Sequence, residues 1–103
     1  MERRCKPRIA CSYPATVRGT ISDRLRYETP AILANISACG VYLRLKKLVP
    51  RDETVFIEVR MSTAPLGQTT APHIAAIGKV VRIETLPDGY FGIGVQLSHY
   101  RML

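Results

Sequence analysis

The chain has 103 residues, of which 47% are hydrophobic, so it can bury one core and is too short for two domains. Its formal net charge of +7 favours anionic partners such as nucleic acid, nucleotides or acidic membrane surfaces. No apolar run approaches the ~20 residues that a membrane span requires, and no apolar stretch of signal-peptide type follows the basic N-terminus. We therefore expect a cytoplasmic protein without a membrane span.

The pattern of reactive residues argues against an enzyme. The cysteines, Cys5, Cys11 and Cys39, are odd in number and lack C-x-x-C spacing, which indicates reduced thiols rather than a disulfide framework or a zinc site. The sequence contains no phosphate-binding Gly-Lys-Ser/Thr loop and no recognisable nucleophile–base arrangement. We expect no catalytic residue, no metal site and no cofactor.

Apolar and polar residues alternate along most of the chain, which is typical of strands with one buried face. The alternation predicts six strands, at about residues 15–21, 31–36, 41–45, 55–61, 75–84 and 91–97. Residues 22–29 and 64–72 are interpreted as loops, and residues 48–52 and 87–89 as turns. Residues 1–103 are therefore expected to form one all-β domain, a six-stranded antiparallel β-barrel with little or no C-terminal helix.

The first ten residues, 1–10, are interpreted as a flexible, arginine-rich N-terminal segment. Pro7 favours an extended conformation in the preceding residue, so a helix is not expected here. In an extended segment Arg4 and Arg8 project to the same side and are ~13 Å apart along the chain. Guanidinium groups bind phosphate and pair bidentately with guanine. Basic termini without any specific role are common, however, and for this stretch alone that is the simpler interpretation.

The residues Asn35-Ile36-Ser37-Ala38-Cys39-Gly40 lie between two predicted strands. Asn and Ser side chains bond backbone groups in turns, and Gly permits close approach or positive φ, so an ordinary turn explains this stretch alone. A binding function would instead have Asn35 and Ser37 project polar groups from the rim of the sheet, with Gly40 leaving space for a ligand.

Taken together and in order, the two stretches resemble the PilZ domain family. The order is Arg-x-x-x-Arg, then Asn-x-Ser-x-x-Gly, which leads into Val41-Tyr42-Leu43. Residues 78–82, Gly-Lys-Val-Val-Arg, resemble the family's Gly-x-Val-x-Arg strand. Residues 90–97 resemble its closing strand. The resemblance covers essentially the whole chain, and it depends on the order and spacing of motifs that are individually weak.

The resemblance implies a six-stranded antiparallel β-barrel that binds cyclic di-GMP, the ligand of PilZ domains carrying both motifs. The ligand would order the N-terminal segment against the turn. Asn35 occupies a position where many members have Asp, and an amide offers guanine one acceptor oxygen where a carboxylate offers two. The implied ligand-binding residues are Arg3, Arg4, Arg8, Asn35, Ser37 and Gly40.

Two other functions stay open at this point. Some PilZ-like proteins are protein–protein adaptors that bind no nucleotide, although they tend to lack one of the two motifs. A general nucleic-acid-binding barrel is less favoured, because only 7% of the residues are aromatic and stacking platforms are therefore scarce. An unidentified downstream protein is an expected partner and a homodimer is one arrangement to consider, while the roles of Lys79, Arg82 and His99 stay open.

Overall fold

The computed structural model describes residues 9–20, 26–60 and 73–102. These residues form six β-strands and no helix. No helix in this part of the chain could therefore cross a membrane. The strands are β1 (Ile9–Thr20), β2 (Arg26–Ile36), β3 (Gly40–Leu45), β4 (Thr54–Arg60), β5 (His73–Thr85) and β6 (Phe91–Met102).

All strand pairings are antiparallel, and together they close the sheet into a ring. The order around the ring is β1-β2-β3-β6-β5-β4. The last strand returns to the first, since β4 pairs with β1 from Ala15 opposite Val59 to Arg18 opposite Phe56. Closure leaves neither β1 nor β4 as a free edge in this region, so backbone donors and acceptors there are satisfied within the sheet.

The interior of the ring is the hydrophobic core. Successive side chains in a strand point to opposite faces, so every second residue faces inward and must be apolar. The inward positions are Val, Leu, Ile and Ala almost throughout, and β-branched residues suit such a pleated surface. The largest fully buried side chains are Leu33, Leu43, Leu45, Ile93, Val17, Val49, Val55 and Val80.

The structure confirms the six predicted strands and extends several of them. Residues 26–29, interpreted from the sequence as loop, belong to β2, where Glu28 pairs with Arg18 of β1. The charge of Glu28 is explained by cross-strand ion pairing on the outer face, because Arg18 Nε lies 3.3 Å from Glu28 and its Nη2 lies 3.6 Å from Glu58. At the other end of the chain, β6 continues to Met102 as a strand paired with β5.

The predicted turn at residues 87–89 is confirmed as the connection between β5 and β6. Gly89 has φ of 87°, a conformation that residues with a Cβ rarely adopt. The Leu86 amide donates to the Tyr90 carbonyl at 2.9 Å, and the Tyr90 amide donates to Asp88 Oδ1 at 3.1 Å. These bonds fix the register of the two longest paired strands.

A β-bulge at Ala34 decides which way the end of β2 faces. Leu33 pairs with Leu43 and Asn35 pairs with Tyr42, so Ala34 is an extra residue on β2 with no partner of its own on β3. Without the bulge, the alternation that buries Leu33 would turn Asn35 inward as well. With it, Ile36 packs on the core and Asn35 turns to the outer face.

Replacing Leu43 with Ala tests the core. Its side chain is fully buried, so we expect Leu43→Ala to lower the free energy of unfolding by about 2–5 kcal/mol. Leu48→Ala removes the same atoms from a side chain that is 58% exposed, and it should change the free energy of unfolding by about 0.5 kcal/mol or less. Urea denaturation of both variants measures the difference, and equal losses would contradict the assignment of the core.

Candidate functional site

The candidate site surrounds the turn between β2 and β3. Asn35 lies one residue before the end of β2, Ser37 lies in the turn, and Gly40 begins β3. Arg3, Arg4 and Arg8, the other predicted ligand-binding residues, lie outside the described residues. The structure therefore brings the three turn residues together, and the approach of the arginines to them stays a prediction.

Asn35 faces outward with its amide available. It sits between Ala10 of β1 and Tyr42 of β3, its partners in the two ladders. Paired residues of adjacent antiparallel strands project to the same face, so Asn35 and Tyr42 share the outer surface. The Asn35 side chain is half-buried and makes no hydrogen bond to any described residue. Within the described part of the chain, the amide oxygen and the NH₂ group of Asn35 thus have no partner and can meet a ligand.

Ser37 is engaged in holding the turn together. Its backbone amide donates to the Gly40 carbonyl at 2.9 Å, and its hydroxyl donates to the same carbonyl at 3.4 Å. The Cys39 amide in turn donates to Ser37 Oγ at 3.3 Å. The turn is anchored to β6 as well, since the Leu97 amide donates to the Cys39 carbonyl at 3.2 Å.

The cysteines correct one expectation from the sequence. Cys39 is disulfide-bonded, so the interpretation of all thiols as reduced is wrong at this position. Cys11 is a free, half-buried thiol that donates to the Leu33 carbonyl at 3.6 Å. Burial raises the pKa of the Cys11 thiol, which keeps it protonated and less reactive.

Gly40 is required for close approach of two backbones. A Cβ at this position would overlap the carbonyl oxygen of Val95 on β6. The space that a side chain would need is therefore filled by protein rather than left for a ligand. The glycine allows β3 and β6 to pair directly behind the turn.

Tyr42 is a site residue that the sequence reasoning did not select. Its ring lies across the outer face of β6, where a Cβ on Gly92 would overlap the phenol oxygen. The hydroxyl donates to Glu84 Oε2 at 3.0 Å. Burial, followed by this hydrogen bond and the charge of Glu84, raises the pKa of Tyr42, so the phenol stays neutral. The sequence signals were its outward phase between Val41 and Leu43 and its position directly after the Asn-x-Ser-x-x-Gly stretch.

Two further side chains reach the same face through the register of the strands. Gly94 of β6 lies opposite Tyr42 on one side and Arg82 of β5 on the other. The Arg82 guanidinium carbon lies 6.0 Å from the centre of the Tyr42 ring, within cation–π range. In the neighbouring row Gln96 lies between Gly40 and Lys79, which places a second exposed cation at the site.

The described residues contain no group of three or more His, Cys, Asp or Glu that could hold a metal ion. The groups that this part of the chain exposes are of kinds that can contact planar and anionic molecules. It offers an amide, an aromatic ring and two cations on one face of four neighbouring strands, β2, β3, β6 and β5.

A pair of glycine substitutions tests the role of Gly40. Gly40→Ala forces β3 away from the Val95 carbonyl and should destabilise the fold by about 1–3 kcal/mol. Gly94→Ala is the matched control, because its nearest neighbour, Arg82 Cβ, is 3.5 Å from the added carbon and no shift is needed. Its free energy of unfolding should stay within about 1 kcal/mol of the parent value. Urea denaturation that ranks the two variants in the opposite order would contradict this role.

Comparison with known proteins shows to which family the chain is similar. The family model of the PilZ domain matches residues 2–102, which is essentially the whole chain. No curated protein gave a match, and no solved structure gave one. The match spans all six strands and the turn that carries Asn35, Ser37 and Gly40. The chain belongs to the PilZ domain family.

Proposed function

We propose that the protein is a cyclic di-GMP receptor whose ring of six strands is the PilZ β-barrel. The observation that carries this proposal is the outward placement of Asn35, beside Ser37 and Gly40, in a chain that the family model matches from residue 2 to residue 102. We propose a cytoplasmic location as well, because a second-messenger receptor must meet its ligand inside the cell.

The turn supplies polar groups suited to a guanine. The Asn35 amide can accept a hydrogen bond from a guanine N–H and donate to a guanine acceptor. The bond from Ser37 Oγ to the Gly40 carbonyl is long at 3.4 Å, against about 2.7–2.8 Å for a usual hydroxyl donor. The hydroxyl can therefore turn to a ligand phosphate or carbonyl at small cost, while the backbone bond of Ser37 keeps the turn in place.

The N-terminal arginines supply the remaining part of the proposed site. Arg4 and Arg8, with Arg3 beside them, carry the charge and the planar groups that hold phosphates and guanine edges. A segment that becomes ordered on the ligand changes the surface shown to a partner, which is how the receptor would pass on its signal. The partner is expected to be a protein, and the domain itself carries out no reaction.

Titration calorimetry with cyclic di-GMP tests the proposal. The parent should bind, and Arg8→Ala should lose most of the affinity because a charge-assisted contact to the ligand is removed. Arg51→Ala is the matched control, since Arg51 is an exposed arginine in the loop between β3 and β4. No heat with the parent at high micromolar ligand, together with unchanged amide NMR signals at Ser37 and Gly40, would overturn the proposal.

Substitution of Asn35 tests the turn separately. Asn35→Asp provides two charged acceptor oxygens for the two N–H groups of a guanine edge and should tighten binding several-fold. Asn35→Ala removes the amide and should weaken binding. Calorimetry at one ionic strength measures both changes. If both variants bind as the parent does, Asn35 does not contact the ligand.

A protein adaptor without nucleotide binding is the second candidate, and one surface favours it. Phe56 is 50% exposed and Tyr100 is 70% exposed on the outside of the ring. They border a groove of about 640 Å³ that is also lined by Ile77 and Ala75. Exposed aromatic residues around an apolar groove are typical of protein-binding surfaces. Failure of the parent to bind nucleotide in the titration would favour this candidate.

A further inference from the structure

The groove bordered by Phe56 and Tyr100 crosses the outer surface of β1, β4, β5 and β6. Two rows of paired residues lie across it, Arg18, Phe56, Ile77 and His99 in one and Thr16, Glu58, Ala75 and Arg101 in the other. Each row crosses three inter-strand spacings of ~4.8 Å, so the groove is about 14 Å wide. An α-helix with its side chains is about 10–12 Å in diameter and fits this width.

The middle of the groove is apolar and open to solvent. Phe56 and Tyr100 are two of the four large apolar side chains that are exposed in the described part of the chain. Ile77 and Ala75 are half-buried beside them. Exposed apolar side chains that cluster in one concave place, rather than scattering over the surface, indicate a surface that binds another molecule.

A pocket continues the groove at the end of the ring where β2 ends and β3 and β5 begin. Groove and pocket share Ile57, Ala76 and Tyr100. The pocket has a volume of about 120 Å³, and its lining is apolar apart from the hydroxyls of Ser37 and Tyr100. Since an apolar cavity of about 150 Å³ holds one benzene molecule, this pocket is the right size for one apolar side chain.

The two strands in the middle of the groove, β4 and β5, have no backbone groups left for a partner to pair with. Over the two rows β4 pairs with β1 on one side and β5 on the other, and β5 also pairs with β6. An extended peptide therefore cannot join the sheet here as an added strand. A partner has to bind through side chains, as a helix with one apolar face does.

The charges around the groove favour an acidic partner. Of the described residues that line it, Glu58 alone is acidic, and its carboxylate lies 3.6 Å from Arg18. Arg101, at the far end of the same row, is exposed and has no ion pair within the described part of the chain. The excess charge is therefore positive. A second copy of the chain, with its own net charge of +7, would be repelled.

We propose that the groove and its pocket are the docking site for an acidic amphipathic helix of a partner protein. One apolar side chain of the helix enters the pocket beside Tyr100, another packs on Phe56 one turn away, and a carboxylate pairs with Arg101. The proposal deepens the second candidate function by naming the class of partner. It does not depend on nucleotide binding, because Ser37 in the pocket is the one described residue that this surface shares with the candidate site.

Fluorescence anisotropy with three labelled peptides, in the absence of nucleotide, tests the proposal. Each peptide has about 20 residues, because shorter isolated helices are only marginally stable in water. The first carries leucines at helical spacing with glutamates on both sides, the second has lysine in place of each glutamate, and the third has serine in place of each leucine. The parent should bind the first peptide, and bind the other two roughly tenfold or more weakly.

Variants of the groove locate the binding. Tyr100→Ala and Arg101→Glu should each weaken binding of the glutamate peptide by roughly tenfold or more, because an apolar anchor or an ion pair is lost. Arg101→Glu should also bind the lysine peptide more tightly than the parent does. Leu48→Ala and Arg51→Glu are the matched controls, since both side chains are exposed outside the groove, and they should stay within about twofold of the parent.

Four results would overturn the proposal. The first is no binding of the glutamate peptide by the parent, whether or not cyclic di-GMP binds. The second is equal weakening by Arg101→Glu and Arg51→Glu, which would indicate only general attraction to a basic protein. The third is sedimentation of the parent as a dimer that Tyr100→Ala dissociates, and the fourth is binding to phosphatidylglycerol vesicles that Tyr100→Ala abolishes. Thermal unfolding confirms that the variants, all at exposed positions, keep the fold.

Discussion

The structure depends on the closure of one sheet upon itself through the pairing of β4 with β1. A closed ring has a single interior, and every strand must turn its apolar side chains toward it. Closure thereby fixes which residues of each strand face the interior, and it also fixes which residues face outward. The residues available to a ligand are for this reason a consequence of how the core is filled.

Much of the fold could be predicted because the core is encoded by simple alternation. Val41, Leu43 and Leu45 mark β3 without ambiguity, and the turn at Gly89 follows from residue types that favour it. Residues 26–29 could not be recognised as strand, because the polar Thr29 occupies a buried position and Glu28 pairs with a distant strand on the outer face, so no apolar alternation marks them. A pairing between distant parts of the chain leaves no local trace in the sequence.

The site shows the same division between local and distant information. The positions of Asn35, Ser37 and Gly40 at a turn were predicted, yet the backbone of Ser37 proves to hold the turn and Gly40 to allow the β3–β6 pairing. Tyr42 and Arg82 come to share the outer face with Asn35 through cross-strand register, which no spacing in the sequence reveals. Family motifs therefore identify the turn and the strand of Arg82 separately, whereas their position side by side is known only from the folded ring.

The bulge at Ala34 means that the direction of Asn35 is set by the number of residues in β2 rather than by their identity. Any side chain at position 34 that tolerates the bulge leaves Asn35 on the surface. Loss of that one residue would instead bring the amide into the core and expel Ile36 from it. Across related chains the number of residues between Leu33 and Ser37 should therefore stay constant, even where the residues themselves vary. The length of this segment, rather than its sequence, is then what keeps Asn35 at the surface.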